Sequence, residues 1–237
     1  MRIAVWGDSN VVDDGAVANG SFRIVLVNAL NATSHPATII GPYSDAYTQH
    51  TGQNGWGVAQ LTNLVPSVIN TRVDVHILHA GTNDLLQPSL GYNDAAYRDA
   101  TPTRMKAFAQ EILRYTPNAF IYVCSIPKAP AYPASLTWMP IINAGYSTIC
   151  AELRASNFMV FYADSYAATL DKVHDGVHYN QAGKDALATV LYTAMIDRAN
   201  QARPMIPSPA NRLIRTMKGK DLDIPGLKPF DTYRIVQ

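Results

Sequence analysis

The sequence predicts an α/β fold, a three-layer α/β/α sandwich around a five-stranded parallel sheet, and three observations carry that expectation. Five short apolar runs, at 3–6, 37–40, 73–80, 119–126 and 158–164, are rich in β-branched residues and bounded by Gly, Pro or Asn. Such runs suit strands buried on both faces. Stretches with helical spacing of apolar positions separate them. Regular alternation of the two favours right-handed βαβ units with helices on both faces of the sheet.

In chain order, IAVW opens the sheet and FRIVLVNAL near 22–30 supplies the first long helical stripe. The run ATII is followed by WGVAQLTNLV near 56–65, and VDVHILHA by a helical pattern within 96–115. AFIYVCSI precedes a helix near 143–156, and FMVFYAD a final one at 181–201. Past Arg203 the prolines scatter and no period persists. The expected organisation is one domain over 1–202 and an extended tail over 203–237 that wraps the domain or links onward.

Composition narrows the function. Lys and Arg number 19 against 18 Asp and Glu, a net charge of +1, so neither nucleic acid nor an anionic membrane is expected as the main partner. With 48% hydrophobic and 16% charged residues the chain has the makings of a large core. The two cysteines, Cys124 and Cys150, lie in apolar patterns without a neighbouring ligand residue and are expected as buried thiols. The opening MRIAVWGDS has no signal-peptide pattern, and no apolar run approaches the roughly 18 residues of a membrane span. The expectation is a cytoplasmic protein or a mature or excised secreted domain, without membrane insertion.

In α/β sheets ligands bind beyond the carboxyl ends of the strands. There the chain places Gly7-Asp8-Ser9-Asn10, then Gly81-Thr82-Asn83-Asp84, then Asp175-Gly-Val-His178, with HTGQNGWG at 50–57 opening a helix. Taken alone, Asp-x-x-His suits metal ligation, a capped turn, or a base with its charge partner. Ser9 is the natural nucleophile, which His178 can deprotonate while Asp175 holds the imidazole tautomer. Oxyanion donors are available from the backbone N–H of Ser9, the backbone N–H of Gly55 and the side-chain amide of Asn83. Each motif alone is also a plausible turn; their joint occurrence at successive strand ends favours catalysis.

These four blocks resemble the SGNH hydrolases of the broader GDSL esterase and lipase superfamily. The resemblance covers roughly residues 1–200 and rests on Ser9 in GDSN, Gly55 in GQNGW, Asn83 in GTND, and Asp175 with His178 in DGVH. It implies a flavodoxin-like SGNH hydrolase fold, Ser9, Asp175 and His178 as triad, and Ser9, Gly55 and Asn83 as oxyanion hole. Asn10 departs from the usual leucine or isoleucine and is expected to alter the pocket floor. GSFR at 20–23 and His50, Gly52, Gly55 and Trp56 are similar to carbohydrate esterase family three and related acetyl xylan esterases.

The implied activity is hydrolysis of short acyl esters through an acyl-enzyme, with acetylated carbohydrate favoured as substrate and no cofactor or metal. The alternatives are a lipid esterase or thioesterase of the same superfamily, and a non-catalytic carbohydrate-binding module. Dinucleotide binding is set aside because G-x-G-x-x-G does not follow the first strand. Trp56, Tyr92, Tyr132 and Trp138 are candidate substrate contacts, the last three on rim loops at 85–97 and 127–140. His76 and His79 are expected as buried, hydrogen-bonded strand residues, with His79 steadying the GTND turn, and His174 as a solvated loop residue. Asp8 and Asp84 are expected to stabilise their own turns.

Overall fold

A computed structural model of the chain describes residues 1–12, 21–69, 72–86 and 94–199. The expected tail at 203–237, the domain boundary at 202, and the candidates Gly20 and Tyr92 lie outside these residues.

All five expected strands form: β1 (Arg2–Gly7), β2 (Thr38–Ile40), β5 (Val75–His79), β6 (Phe120–Cys124) and β7 (Val160–Ala163). They are parallel, with β1 between β2 and β5, then β6 and β7 outward. Every residue of β5 is buried, as a central strand with helices on both sides requires.

Among the described residues the sheet has seven strands rather than five. The additions are β3 (Tyr43–Ser44) and β4 (Gln49–Gly52), paired antiparallel to each other. β4 continues along the edge of β1 that β2 begins, with Gly7 opposite Gly52. The segment expected only to open a helix therefore enters as a strand. At two and four residues, these strands are too short to display an alternating pattern in the sequence.

Helices cover both faces. On one lie α2 (Phe22–Asn31) and α8 (Gln181–Ala199), whose Phe22, Leu26, Leu30, Leu187 and Leu191 pack against Val5 and Ile77. On the other lie α3 (Val58–Val68), α6 (Thr101–Tyr115) and α7 (Ser135–Ala155), contributing Leu61, Phe108, Ile112, Ile142 and Ile149. Helix α7 starts at Ser135, so residues 135–140 of the expected rim loop are helical and only the part before them is loop. Pro140 disguises this start in the sequence; buried Met139, Ile142 and Tyr146 carry the apolar stripe through it. Three shorter helices, α1 (Ser9–Val12), α4 (Thr82–Leu86) and α5 (Ala95–Asp99), follow β1 and β5 or precede α6.

Cys124 and Cys150 are buried free thiols. Burial pushes both thiols up, Cys150 to about 12. No described helix is long and apolar enough to cross a membrane.

Candidate active site

The first strand delivers Ser9 at the start of α1. The Asp8 carbonyl accepts from Val11 and Val12 at 2.9 and 3.1 Å, and its carboxylate Oδ1 accepts the Asn10 N–H at 3.0 Å. Asp8 thus closes this single turn at both backbone and side chain. It does so fully buried, and desolvation pushes its carboxyl up to about 6.

His178 arrives on the loop before α8. Its Nε2 lies 2.8 Å from Ser9 Oγ and its Nδ1 2.6 Å from Asp175 Oδ2. An ionised carboxylate only accepts, so Nδ1 carries the proton and Nε2 is the acceptor for the serine hydroxyl. The other carboxylate oxygen accepts from the backbone N–H of Val177 and His178 at 2.9 and 2.8 Å. Partial burial works the other way, but the His178 ring and these two N–H groups hold the Asp175 carboxyl well below its usual range. The turn needs Gly176, at φ +85°, where an added Cβ would lie 2.7 Å from the Cβ of Ala131.

Gly55 lies between β4 and α3 at φ +75°, and nothing approaches within 4 Å of where a Cβ would be. Its surroundings are fixed from two directions. Fully buried Arg23 on α2 donates to the Gln49 carbonyl at 2.8 Å and pairs with Asp45, gripping the β3–β4 hairpin. Gln53 then donates to the Gly7 carbonyl at 3.0 Å, tying the segment to the strand that carries Ser9.

Asn83 sits in the first turn of α4, and its Nδ2 donates to the Trp56 carbonyl at 2.9 Å. Neighbouring Asp84 reaches further than its own turn. It accepts the Val58 N–H at 2.9 Å, at the start of α3, and Arg104 Nε at 3.0 Å. These bonds brace the segment following Gly55 against the one bearing Asn83.

Ser9, Asn54, Gly55, Asn83, Leu86, Tyr132, Val177 and His178 line one cavity of about 310 Å³. Five residues expected in catalysis, Ser9, Gly55, Asn83, Asp175 and His178, are therefore drawn to one place, with Asp175 behind His178. Of the expected substrate contacts Tyr132 lines the cavity. The partly buried Trp56 packs against the core cluster, and Trp138 lies under the Arg98 guanidinium, 4.2 Å from the ring centre. Neither ring lines the cavity.

Residues flanking the site also differ from expectation. Asn10 is not in the cavity floor; its Oδ1 accepts the Tyr179 N–H at 3.1 Å. His79 Nε2 meets the Tyr179 hydroxyl at 3.1 Å, so it supports the loop bearing His178 rather than the GTND turn. His76 is buried between Trp6 and Thr116, each 3.0 Å away. Desolvation lowers His76 to about 3 and His79 to about 4, keeping both neutral. His174 is not merely solvated: its ring stacks on that of His178 with centres 6.0 Å apart. Among the described residues no three His, Cys, Asp or Glu side chains are grouped to hold a metal ion.

No family model matches the chain, and no curated protein matches it in sequence. Solved structures do. A family 3 carbohydrate esterase from Clostridium thermocellum is 23% identical with a TM-score of 0.69, the match covering 84% of this chain and 98% of that one. A family 3 carbohydrate esterase from Talaromyces cellulolyticus is 18% identical with a TM-score of 0.68, covering 84% and 97%. A lipase from a goat rumen metagenome is 15% identical with a TM-score of 0.60, covering 82% and 97%. At these identities what is shared is the fold: the chain has the α/β architecture of the SGNH hydrolases, with family 3 carbohydrate esterases among its structural neighbours.

Proposed function

We propose that the chain is a serine carboxylic ester hydrolase of the SGNH type, removing short acyl groups, acetyl foremost, from carbohydrate through an acyl-enzyme. The observation that carries this reading is the continuous hydrogen-bonded chain from Ser9 Oγ through His178 to Asp175, at 2.8 and 2.6 Å. A serine hydroxyl is a weak nucleophile until a base takes its proton during attack. Here the base is already in contact, in the tautomer that can accept.

Attack by Ser9 Oγ on the ester carbonyl passes its proton to His178 Nε2, and Asp175 stabilises the imidazolium. The carbonyl oxygen gains negative charge, which the N–H groups of Ser9 and Gly55 and the amide of Asn83 are suited to receive. The open space over Gly55 supports its part, since a reacting carbonyl can approach the backbone there. Collapse expels the alcohol, which takes the proton from His178. Water then attacks the acyl-enzyme with His178 again as base, freeing the acid and restoring Ser9.

The carbohydrate reading is supported by the likeness to family 3 carbohydrate esterases and by the exposed Tyr132 ring at the cavity rim. Aromatic faces suit pyranose rings, whereas Leu86 and Val177 offer a small apolar wall to an acyl group. The test is acid release by wild type and Ser9→Ala from acetylated xylan, acetylated amino sugars, p-nitrophenyl acetate and p-nitrophenyl octanoate. Serine-dependent acetate release from a sugar is expected. Turnover restricted to octanoate would replace the carbohydrate reading with a lipid esterase, and full activity in Ser9→Ala would overturn the serine mechanism.

A further inference from the structure

The residue after Ser9 and the residue after His178 are joined. Asn10 is 6% exposed, and its Oδ1 accepts the backbone N–H of Tyr179 at 3.1 Å. Tyr179 is itself 1% exposed. Its hydroxyl lies 3.1 Å from His79 Nε2, and its ring meets the His79 ring edge-on with centres 5.6 Å apart. His79 belongs to β5, the neighbour of β1 in the sheet. The residue bonded covalently to His178 is thus fixed at its backbone by the helix that carries Ser9 and at its hydroxyl by the central sheet.

We infer that Asn10 is a positioning residue for His178, acting through the backbone and buried side chain of Tyr179. The inference rests on the assignment of His178 as the base. Ser9 and His178 are 169 residues apart in sequence, yet the proton transfer between them tolerates little displacement. Other ties of the loop around His178 run within the loop, where the His174 N–H meets the His178 carbonyl at 2.9 Å, and to Ala131, whose N–H donates to the Gly176 carbonyl at 3.3 Å. The Asp175 side chain is 44% exposed and that of His178 24%, and the contacts between the two are local to the loop. Asn10 supplies a link of another kind, from the nucleophile's own helix. A leucine at this position would fill similar space without an acceptor, leaving the buried Tyr179 N–H without this bond and removing the loop's tie to the helix of Ser9.

The side chain is oriented by chemistry: an N–H can only be met by the amide oxygen, so the Asn10 oxygen faces Tyr179. Thr82, Asp8 and His79 face this region from α4, β1's end and β5, and Asp175 and His174 flank His178 on the loop. Asparagine and leucine are both uncharged, so Asn10→Leu changes no charge and its effect is one of placement.

The test compares wild type, Asn10→Leu and Tyr179→Phe in the full chain. Asn10→Leu is expected to lower kcat for p-nitrophenyl acetate by about tenfold to a hundredfold with KM little changed. Labelling of Ser9 by a fluorophosphonate should slow in parallel, and the kcat/KM pH profile should move. Tyr179→Phe, which keeps the Asn10 bond and loses the His79 one, should show a smaller change in the same direction. A merely structural role predicts a lower melting temperature with kcat per folded molecule unaltered, and that result overturns the inference. Proton NMR provides a readout independent of turnover: the low-field His178 Nδ1 proton should shift or broaden in Asn10→Leu, and an unmoved resonance also overturns it. Absence of Ser9-dependent turnover in wild type would instead refute the assigned function, leaving the NMR comparison to decide the placement. If Asn10→Leu does not fold, Asn10→Ser and Tyr179→Phe carry the same readouts.

Discussion

Asn83 donates its side-chain amide to the backbone carbonyl of Trp56 at 2.9 Å. The bond fixes the amide plane from the segment that also holds Gly55, so two proposed oxyanion donors are set relative to each other before substrate arrives. Donors aimed in advance need no reorganisation during reaction, and losing one typically costs about 10²–10³ in kcat. Asn83→Ala is expected to show a loss of that size with KM nearly unchanged. Trp56 contributes through its carbonyl, so Trp56→Phe should leave kcat close to wild type. Steady-state kinetics on p-nitrophenyl acetate checks both, and a large kcat loss in Trp56→Phe would mean that the indole itself takes part.

Asp175→Asn keeps an oxygen for the Val177 and His178 N–H groups and so should fold. Its amide nitrogen, however, would face His178 Nδ1, favouring the tautomer with the proton on Nε2, where it cannot accept from Ser9. In a comparable triad this change costs about 10⁴ in kcat. The Asp175 side chain is 44% exposed, and water weakens its hold on the imidazolium. A loss of about 10²- to 10⁴-fold in kcat is therefore expected, with a modest fall in Tm by differential scanning fluorimetry as the hydrogen bonds to the ionised carboxylate are weakened. Retention of full kcat would remove Asp175 from the proposed mechanism.

Tyr132 is 46% exposed at the rim of the cavity. Its ring lies beyond the reacting centre, so its contribution should appear in the binding of the alcohol portion alone. Tyr132→Ala is expected to raise KM for an acetylated sugar by about threefold to tenfold, corresponding to roughly 0.5–1.5 kcal/mol of ring contact. For p-nitrophenyl acetate, with no sugar to stack, a smaller change is expected. Equal KM increases on both substrates would argue against sugar stacking.

Much of the placement of the candidate residues was legible because they follow strand ends. Ser9 and Asn83 each come directly after an apolar run, and the parallel topology brings those ends to one rim. Asp175 and His178 share a loop and are joined by local bonds that the three-residue spacing permits. What the sequence concealed are the contacts between distant segments. Arg23 looks like one charge on a helix, yet it is fully buried against the β3–β4 hairpin, whose strands are too short to declare themselves. Asp84 looks like a turn residue, yet it bonds Val58 and Arg104. Trp56 and Trp138 attract attention as aromatic platforms, but tertiary packing sets one against the core cluster and places the other beneath Arg98. Residue type suggested the chemistry, whereas burial and long-range pairing decided which atoms face the cavity.

Burial of Asp8 gives a prediction about stability and pH. Its carboxyl has no exposed surface, and desolvation raises it from 3.8 to about 6 despite the Asn10 N–H and the proximity of His178. The folded state therefore holds this proton more tightly than the unfolded chain. The associated stability is fully present below about pH 4 and is lost as pH rises through about 6. The shift corresponds to something on the order of 3 kcal/mol at neutral pH. Asp8→Asn removes that dependence and keeps an oxygen for the Asn10 N–H. Its new amide hydrogens would stand near Thr82 Oγ1, the hydroxyl that faces the Asp8 carboxylate. The expected outcome in urea unfolding is a variant similar to wild type near pH 4 whose stability advantage grows up to about pH 7 and is constant above it. A stability difference that is flat across this range, or that favours wild type as pH rises, would show that Asp8 is ionised in the fold without penalty.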